Sequence, residues 1–165
     1  VTDNGWIQQE ESRGFAPRSK RSPYDGGIRT PIILKWPGKI AAGQDDTTPV
    51  LSLDLIPTIL EGCGLEATDA MQGVNLLDGP PEKRERIFGE IFSHDAVDIE
   101  VPSTSLEYRW CIEGDWKLIL PASADETPEL FNITADSDEK KDLAKAEPQR
   151  VAAMSDAINT WWPGK

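Results

Sequence analysis

The sequence predicts an α/β segment followed by a small α+β subdomain, and three observations carry that prediction. A short, mostly apolar stretch at 28–36 precedes an amphipathic helical pattern at 54–63, the order of an alternating α/β layer. Gly79-Pro80-Pro81-Glu82-Lys83-Arg84 then joins chain breakers to charge, which marks a boundary. Beyond it the strand signals cluster, and a helical period closes the chain. The chain therefore divides into 1–79 and 80–165.

Each element has a local cause. Residues 10–23 are polar and carry Arg13, Arg18, Lys20 and Arg21, so they form a loop that delivers Lys20 towards a strand edge. Residues 28–36 read as a strand, with Pro31 near its start where a missing donor is tolerated and Pro37-Gly38 at its end. Residues 41–48 make a surface connection. Ser52 or Asp54 can cap the helix that follows. With Asp54 as the cap, Pro57 falls in the first turn, where its lacking N–H costs little. Leu55, Ile59 and Cys63, flanked by Ile56 and Leu60, give the apolar stripe, and Gly64 stops the helix. That stripe is expected to pack on the sheet containing 28–36.

In the second part, residues 87–92 form one strand. Residues 108–112 and 116–120 flank Glu113-Gly114-Asp115 as a hairpin with glycine at the bend, and 129–133 adds a further strand. Val151, Met154 or Ser155, Ile158 and Trp161 or Trp162 recur at helical spacing, giving a terminal helix for the small sheet. Cys63 and Cys111 are the only cysteines, without metal-ligand spacing, and both read as buried thiols.

The formal charge of -12 excludes a nucleic-acid partner, which needs a basic face, and an anionic membrane surface. It does not exclude an anionic substrate. A local cation cluster acts within a screening length of about 10 Å, well short of a distant acidic surface. No apolar run is long enough to span a bilayer.

The stretch richest in chemistry is Ser19-Lys20-Arg21-Ser22-Pro23-Tyr24-Asp25-Gly26-Gly27-Ile28-Arg29-Thr30-Pro31. Gly-Gly permits positive φ and a close approach of other groups to the main chain, so the loop can hold a lysine and an arginine around an oxyanion. Upstream, Asp3-Asn4-Gly5 is either a tight turn or a pair of hard oxygen donors for a divalent cation. Taken alone, Lys20 is a solvated surface lysine. Arg29 either clamps an anion or pairs with Asp25 or a carbonyl and holds the Gly-Gly turn. Tyr24 reads as packing. His94, the sole histidine, follows Glu90-Ile91-Phe92-Ser93 at a strand end, where a general acid or a rim residue fits. Asp136-Ser137-Asp138-Glu139-Lys140-Lys141-Asp142 is a charged turn rather than an EF-hand, since Lys140 holds a ligand position and the next glycine is lacking.

Taken in order, these pieces resemble the second half of a type I sulfatase, of the alkaline-phosphatase-like superfamily. The resemblance runs from Asp3-Asn4-Gly5 and Ser19-Lys20 through Tyr24-Asp25-Gly26-Gly27-Ile28-Arg29-Thr30-Pro31 and Trp36-Pro37-Gly38. It continues in Asp54-Leu55-Ile56-Pro57-Thr58-Ile59-Leu60, Gly62, Gly64-Leu65 and Gly73-Val74-Asn75-Leu76-Leu77. It ends with Tyr108-Arg109-Trp110, Gly114-Asp115-Trp116-Lys117-Leu118 and Glu129-Leu130-Phe131-Asn132-Ile133.

The resemblance implies the C-terminal part of an alkaline-phosphatase-like sheet with flanking helices, then the antiparallel subdomain. It also implies a hydrolase of sulfate esters, by family habit carbohydrate sulfates. Asp3 and Asn4 match late ligands of one calcium ion. Lys20 matches the catalytic lysine that binds sulfate and the departing oxygen. His94 does not match the family's catalytic histidine, which belongs to the part before Asp3, and is assigned to the substrate rim or the surface; Asp25 and Arg29 are assigned to the support of the turn. The family's nucleophile is a formylglycine made within Cys/Ser-x-Pro-x-Arg, and neither that segment nor the early metal aspartates occurs here. These residues are therefore expected to be the C-terminal piece of a longer protein, inactive without its N-terminal part. A phosphate or phosphonate ester hydrolase of the same superfamily is the nearest alternative, and a non-catalytic carbohydrate- or protein-binding module is another. Family habit implies a periplasmic, secreted or lysosomal location.

Overall fold

A computed structural model describes residues 1–11, 13–43, 48–79, 81 and 84–164. The connection read at 41–48 and the boundary read at 79–84 lie partly outside them. The chain gathers into two compact units, one of Val1–Thr2 with Thr30–Glu85, the other of Asp3–Arg29 with Arg86–Lys165.

The second unit is built on a four-stranded antiparallel sheet in the order β1 (Arg86–Phe92), β2 (Leu106–Glu113), β3 (Trp116–Pro121), β4 (Glu129–Asn132). Glu113 pairs with Trp116, so Gly114-Asp115 is a two-residue loop. Gly114 has φ +55, the position where a primed turn requires glycine to match the twist of the strands. The period of two sorts the side chains onto two faces. Phe88, Cys111, Leu118 and Leu130 stand in one cross-strand row. Helix α3 (Pro148–Trp161) covers that row, adding Met154 and Ile158 to a core with Cys111, Leu118 and Leu130. Pro148 opens α3 where the helix needs no donor. Phe88 stacks on Trp161 with centroids 5.2 Å apart.

The opposite row is Ile87, Ile112, Lys117 and Phe131. This face is also covered. Lys117 is fully buried and Phe131 likewise, and Tyr24 packs on Phe131 with centroids 6.1 Å apart. The segment 3–29 thus lies on the face that a lysine would be expected to leave wet. Beside it, the Trp110 ring occupies the place where a Cβ on Gly89 would stand, 2.3 Å away, so only glycine fits there.

The first unit holds α2 (Leu55–Gly62), entered by a 3-10 turn at Ser52–Asp54. Asp54 is fully buried and stands at the N-cap of α2, but its side chain makes no capping hydrogen bond to that helix. Its carboxylate accepts from the Leu51 and Val74 N–H groups at 2.7 and 2.9 Å and takes both Arg84 guanidinium nitrogens at 2.7 Å. Burial pushes its pKa up, yet the Arg84 hydrogen bonds and the two backbone donors outweigh that, and the net direction is downward.

Three sequence expectations change here. Residues 30–36 form no strand among the described residues, and Ile33 is 79% exposed. A strand exists only with a hydrogen-bonded partner, and no described segment pairs with this one. Residues 25–28 instead form one helical turn, α1 (Asp25–Ile28). The face of α2 that is buried is Pro57 and Thr58, while Ile56 and Ile59 are exposed. Thr58 turns inward because its hydroxyl donates to the Asp54 carbonyl and accepts from Leu76 N–H. Cys63 is exposed, since the stripe it belongs to is not the packed face; Cys111 is buried, and burial pushes its thiol up to about 12.

Two outcomes test this packing. Ile158→Ala should cost about 2–5 kcal/mol in urea unfolding, the range for emptying a well-packed aliphatic site; a loss under about half a kcal/mol would mean that α3 does not seal the sheet. Arg84→Met leaves a buried carboxylate without its cation and should cost about 3–5 kcal/mol. In the wild type, Asp54 stabilises above its ordinary value of 3.8 and that contribution is lost as pH falls through its lower folded value. In Arg84→Met the hydrogen bonds and charge through which Arg84 lowers that value are gone, so this pH dependence should weaken. Urea midpoints across an acid pH series read both.

Candidate functional site

Every candidate site residue lies in the second unit. The loop that carries Lys20 is shaped by backbone contact rather than by positive φ at its Gly-Gly pair. Neither Gly26 nor Gly27 is left-handed. A Cβ on Gly26 would stand 2.5 Å from the Arg18 carbonyl oxygen, and one on Gly27 2.2 Å from that of Ser19. Gly5 is pinned in the same way, 2.2 Å from the Gly26 carbonyl oxygen. Arg18 and Arg21 instead take the left-handed backbone, with φ of +58° and +65°, and reverse the chain on either side of Ser19-Lys20.

Hydrogen bonds then tie the segment after Asp3-Asn4 to this loop. Gly5 N–H donates to the Gly27 carbonyl at 2.8 Å, and Ile7 N–H donates to the hydroxyl of the buried Ser19 at 2.5 Å. Lys20 Nζ lies 5.6 Å from the centroid of the half-exposed Trp6 ring. No carboxylate pairs with Lys20 among the described residues, so its ammonium is held by packing and not neutralised. Asn4 donates its amide to the Gly5 carbonyl at 2.8 Å, which leaves its side-chain oxygen as an acceptor. Asp3 is exposed and its carboxylate has no hydrogen bond or ion pair among the described residues.

Those two oxygens suit a hard cation in kind. They are too few to enclose one, and no cluster of three His, Cys, Asp or Glu residues exists among the described residues. Asp3 and Asn4 can hold a metal only together with ligands from elsewhere.

The remaining candidates separate. Asp25 and Arg29 approach at 3.7 Å, a loose pair with Arg29 largely exposed, so Arg29 adds little to the turn. The firm partner of Asp25 is Lys117, at 2.8 Å. Lys117 also meets Glu139 Oε1 at 2.7 Å, while Glu139 Oε2 accepts the Asp25 N–H at 2.7 Å. Arg18 donates to the Glu139 carbonyl and lies over the Tyr24 ring, 4.4 Å from its centroid. The Tyr24 hydroxyl donates to Glu129; burial, then this carboxylate, raises its pKa, so the phenol stays a neutral donor. His94 is exposed after β1 and makes no hydrogen bond or ion pair among the described residues, so no contact draws it towards Lys20.

Sequence reasoning passed over Lys117, Glu139, Arg18 and Trp6. Lys117 sits on the alternate face of Trp-Lys-Leu-Ile-Leu, normally the solvated one, and its partners are 92 positions upstream and within a charged turn. The one available signal was Ile119, an apolar residue sharing the face of Lys117.

This geometry has counterparts in known proteins. The family model described as N-sulphoglucosamine sulphohydrolase, C-terminal, matches residues 15–159. Arylsulfatase K of Xenopus laevis is 24% identical over 177 residues, a match spanning 97% of this chain and 30% of that protein. The N-acetylgalactosamine-6-O-sulfatase of Bacteroides thetaiotaomicron is 26% identical over 188 residues, spanning 97% of this chain and 34% of that one. Among solved structures, the phosphonate monoester hydrolase of Silicibacter pomeroyi superposes with a TM-score of 0.68 at 26% identity, covering 85% of this chain and 30% of the other. The chain thus spans about a third of the length of its relatives. The ordered motifs, the four-stranded sheet and the match over 15–159 lead to one conclusion: the chain belongs to the N-sulphoglucosamine sulphohydrolase C-terminal family.

Proposed function

We propose that the whole protein hydrolyses a carbohydrate sulfate ester to an alcohol and inorganic sulfate. The observation that carries this reading is a single tethered loop bearing an unpaired ammonium, Lys20, joined by the Gly5–Gly27 hydrogen bond to the segment of the two free oxygen donors, Asp3 and Asn4. Relatives named as sulfatases support it, among them one named for an N-acetylgalactosamine 6-O-sulfate.

In this reading Asp3 and Asn4 contribute two ligands to a calcium ion completed by residues outside this chain. Calcium supplies Lewis-acid polarisation of the sulfuryl oxygens, and a formylglycine outside these residues supplies the attacking oxygen. Lys20 holds the sulfuryl group and offsets negative charge on the departing oxygen as the S–O bond breaks, already in place before the reaction begins. Asp25 fixes the turn, Arg29 flanks it, and His94 stands at the substrate rim. Residues 80–165 shape the substrate mouth. A periplasmic, secreted or lysosomal protein fits such a substrate.

A phosphonate monoester hydrolase is the second reading, favoured by the superposition on the Silicibacter pomeroyi enzyme. The same cation and ammonium would grip a tetrahedral phosphonate. Parallel turnover of an aryl sulfate and an aryl phosphonate monoester by the whole protein separates the two. A higher kcat/KM on the phosphonate would reverse the order of the readings.

Lys20→Ala should lower kcat on a sulfate ester about a hundredfold or more, the loss typical of one preorganised oxyanion donor; turnover near wild type would remove Lys20 from the chemistry. Asp3→Ala should raise the calcium concentration for half-maximal activity about tenfold or more, because ligand charge count sets affinity. An unchanged calcium titration would take Asp3 out of the metal site.

A further inference from the structure

We infer that Lys117, with Glu139, is a positioning residue for Lys20, acting through the loop and not on the substrate; this rests on the sulfatase reading above. Lys117 is fully buried on β3 and Glu139 is 2% exposed. Together they grip both ends of the loop. At the far end, the Asp25 carboxylate takes the Lys117 ammonium at 2.8 Å and the Asp25 N–H donates to Glu139 at 2.7 Å. At the near end, Arg18 donates to the Glu139 carbonyl and lies over the Tyr24 and Phe131 rings, 4.4 and 5.8 Å from their centroids. Lys20 lies between these two anchors. Phe131 is the cross-strand neighbour of Lys117, so both anchors rest on one patch of sheet.

The contacts inside the loop transmit the constraint. Gly26 and Gly27 are in backbone contact with Arg18 and Ser19, so the helical turn held by Lys117 is itself the wall against which Ser19-Lys20 is laid. Take away the ammonium and two carboxylates face each other across the buried site. Asp25 must then swing towards water, and the turn moves with it. A displacement of about 1 Å at a catalytic group can cost about a hundredfold in rate.

The test is a double-mutant cycle on kcat/KM in the whole protein, with Lys117→Met, Lys20→Ala and both together. Inhibition by inorganic sulfate is read alongside, with assays run below every variant's melting temperature. Lys117→Met should lower kcat/KM about ten- to a hundredfold and raise the sulfate inhibition constant. In the Lys20→Ala background it should cost less than about twofold, because the group it positions is gone. Met154→Ala, on the other face of the same sheet, should lower the melting temperature and leave kcat/KM within about twofold. Glu139→Gln, which still accepts from Asp25 N–H, carries the same cycle should Lys117→Met yield no folded protein. Additive losses, or a Met154→Ala loss equal to that of Lys117→Met, would overturn the inference. A Lys20→Ala enzyme with undiminished turnover would instead sink the parent reading.

Discussion

A buried ammonium between two carboxylates organises the second unit. Lys117, Asp25 and Glu139 come from a strand, a one-turn helix and a charged turn that are remote in sequence. None of the three charges would tolerate burial alone, because stripping water from an ion in a protein interior costs several kcal/mol even after relaxation. Their mutual dependence is therefore strict: the strand face can be covered only where the loop brings Asp25, and the loop can settle only where Lys117 receives it. Arg18, bonded to the Glu139 carbonyl, brings a second positive charge to the cluster and leaves its sum close to zero.

The consequence is a sheet closed on both faces by different chemistry. One face is sealed by α3 through Leu118, Leu130, Met154 and Ile158, an apolar contact that needs only the right volumes. The other is sealed by segment 3–29 through ions, a tyrosine ring and backbone packing against glycine. Apolar packing tolerates small slips, whereas ion pairs and Cβ-free contacts demand one position. The face that carries Asp3, Asn4 and Lys20 is the one held by the more exacting interactions.

Much of the fold was legible because its elements are local. The β2–β3 hairpin followed from strand residues around Glu113-Gly114-Asp115, and α3 from apolar spacing. The ordered motifs were enough to recognise the sulfatase portion. Residues 30–36 were misread, because apolar composition cannot say whether a hydrogen-bonding partner exists. Ser52 or Asp54 was read as the cap of α2; Asp54 does hold the N-cap position, but its carboxylate is the buried partner of Arg84, 30 residues on. Arg29 was read as an anion clamp or as a partner of Asp25 or a carbonyl; it does pair with Asp25, loosely, while a closer cation arrives from across the sheet.

Sequence by itself determined the order of the motifs: a lysine ahead of a Gly-Gly pair, and two oxygen donors ahead of both. It determined this because such motifs are short, and their spacing is set by the backbone that must pass between them. Tertiary structure alone decided what holds that loop. The charge balance around Lys117 is settled by three distant segments meeting in a space closed to water, and no window of sequence contains all three.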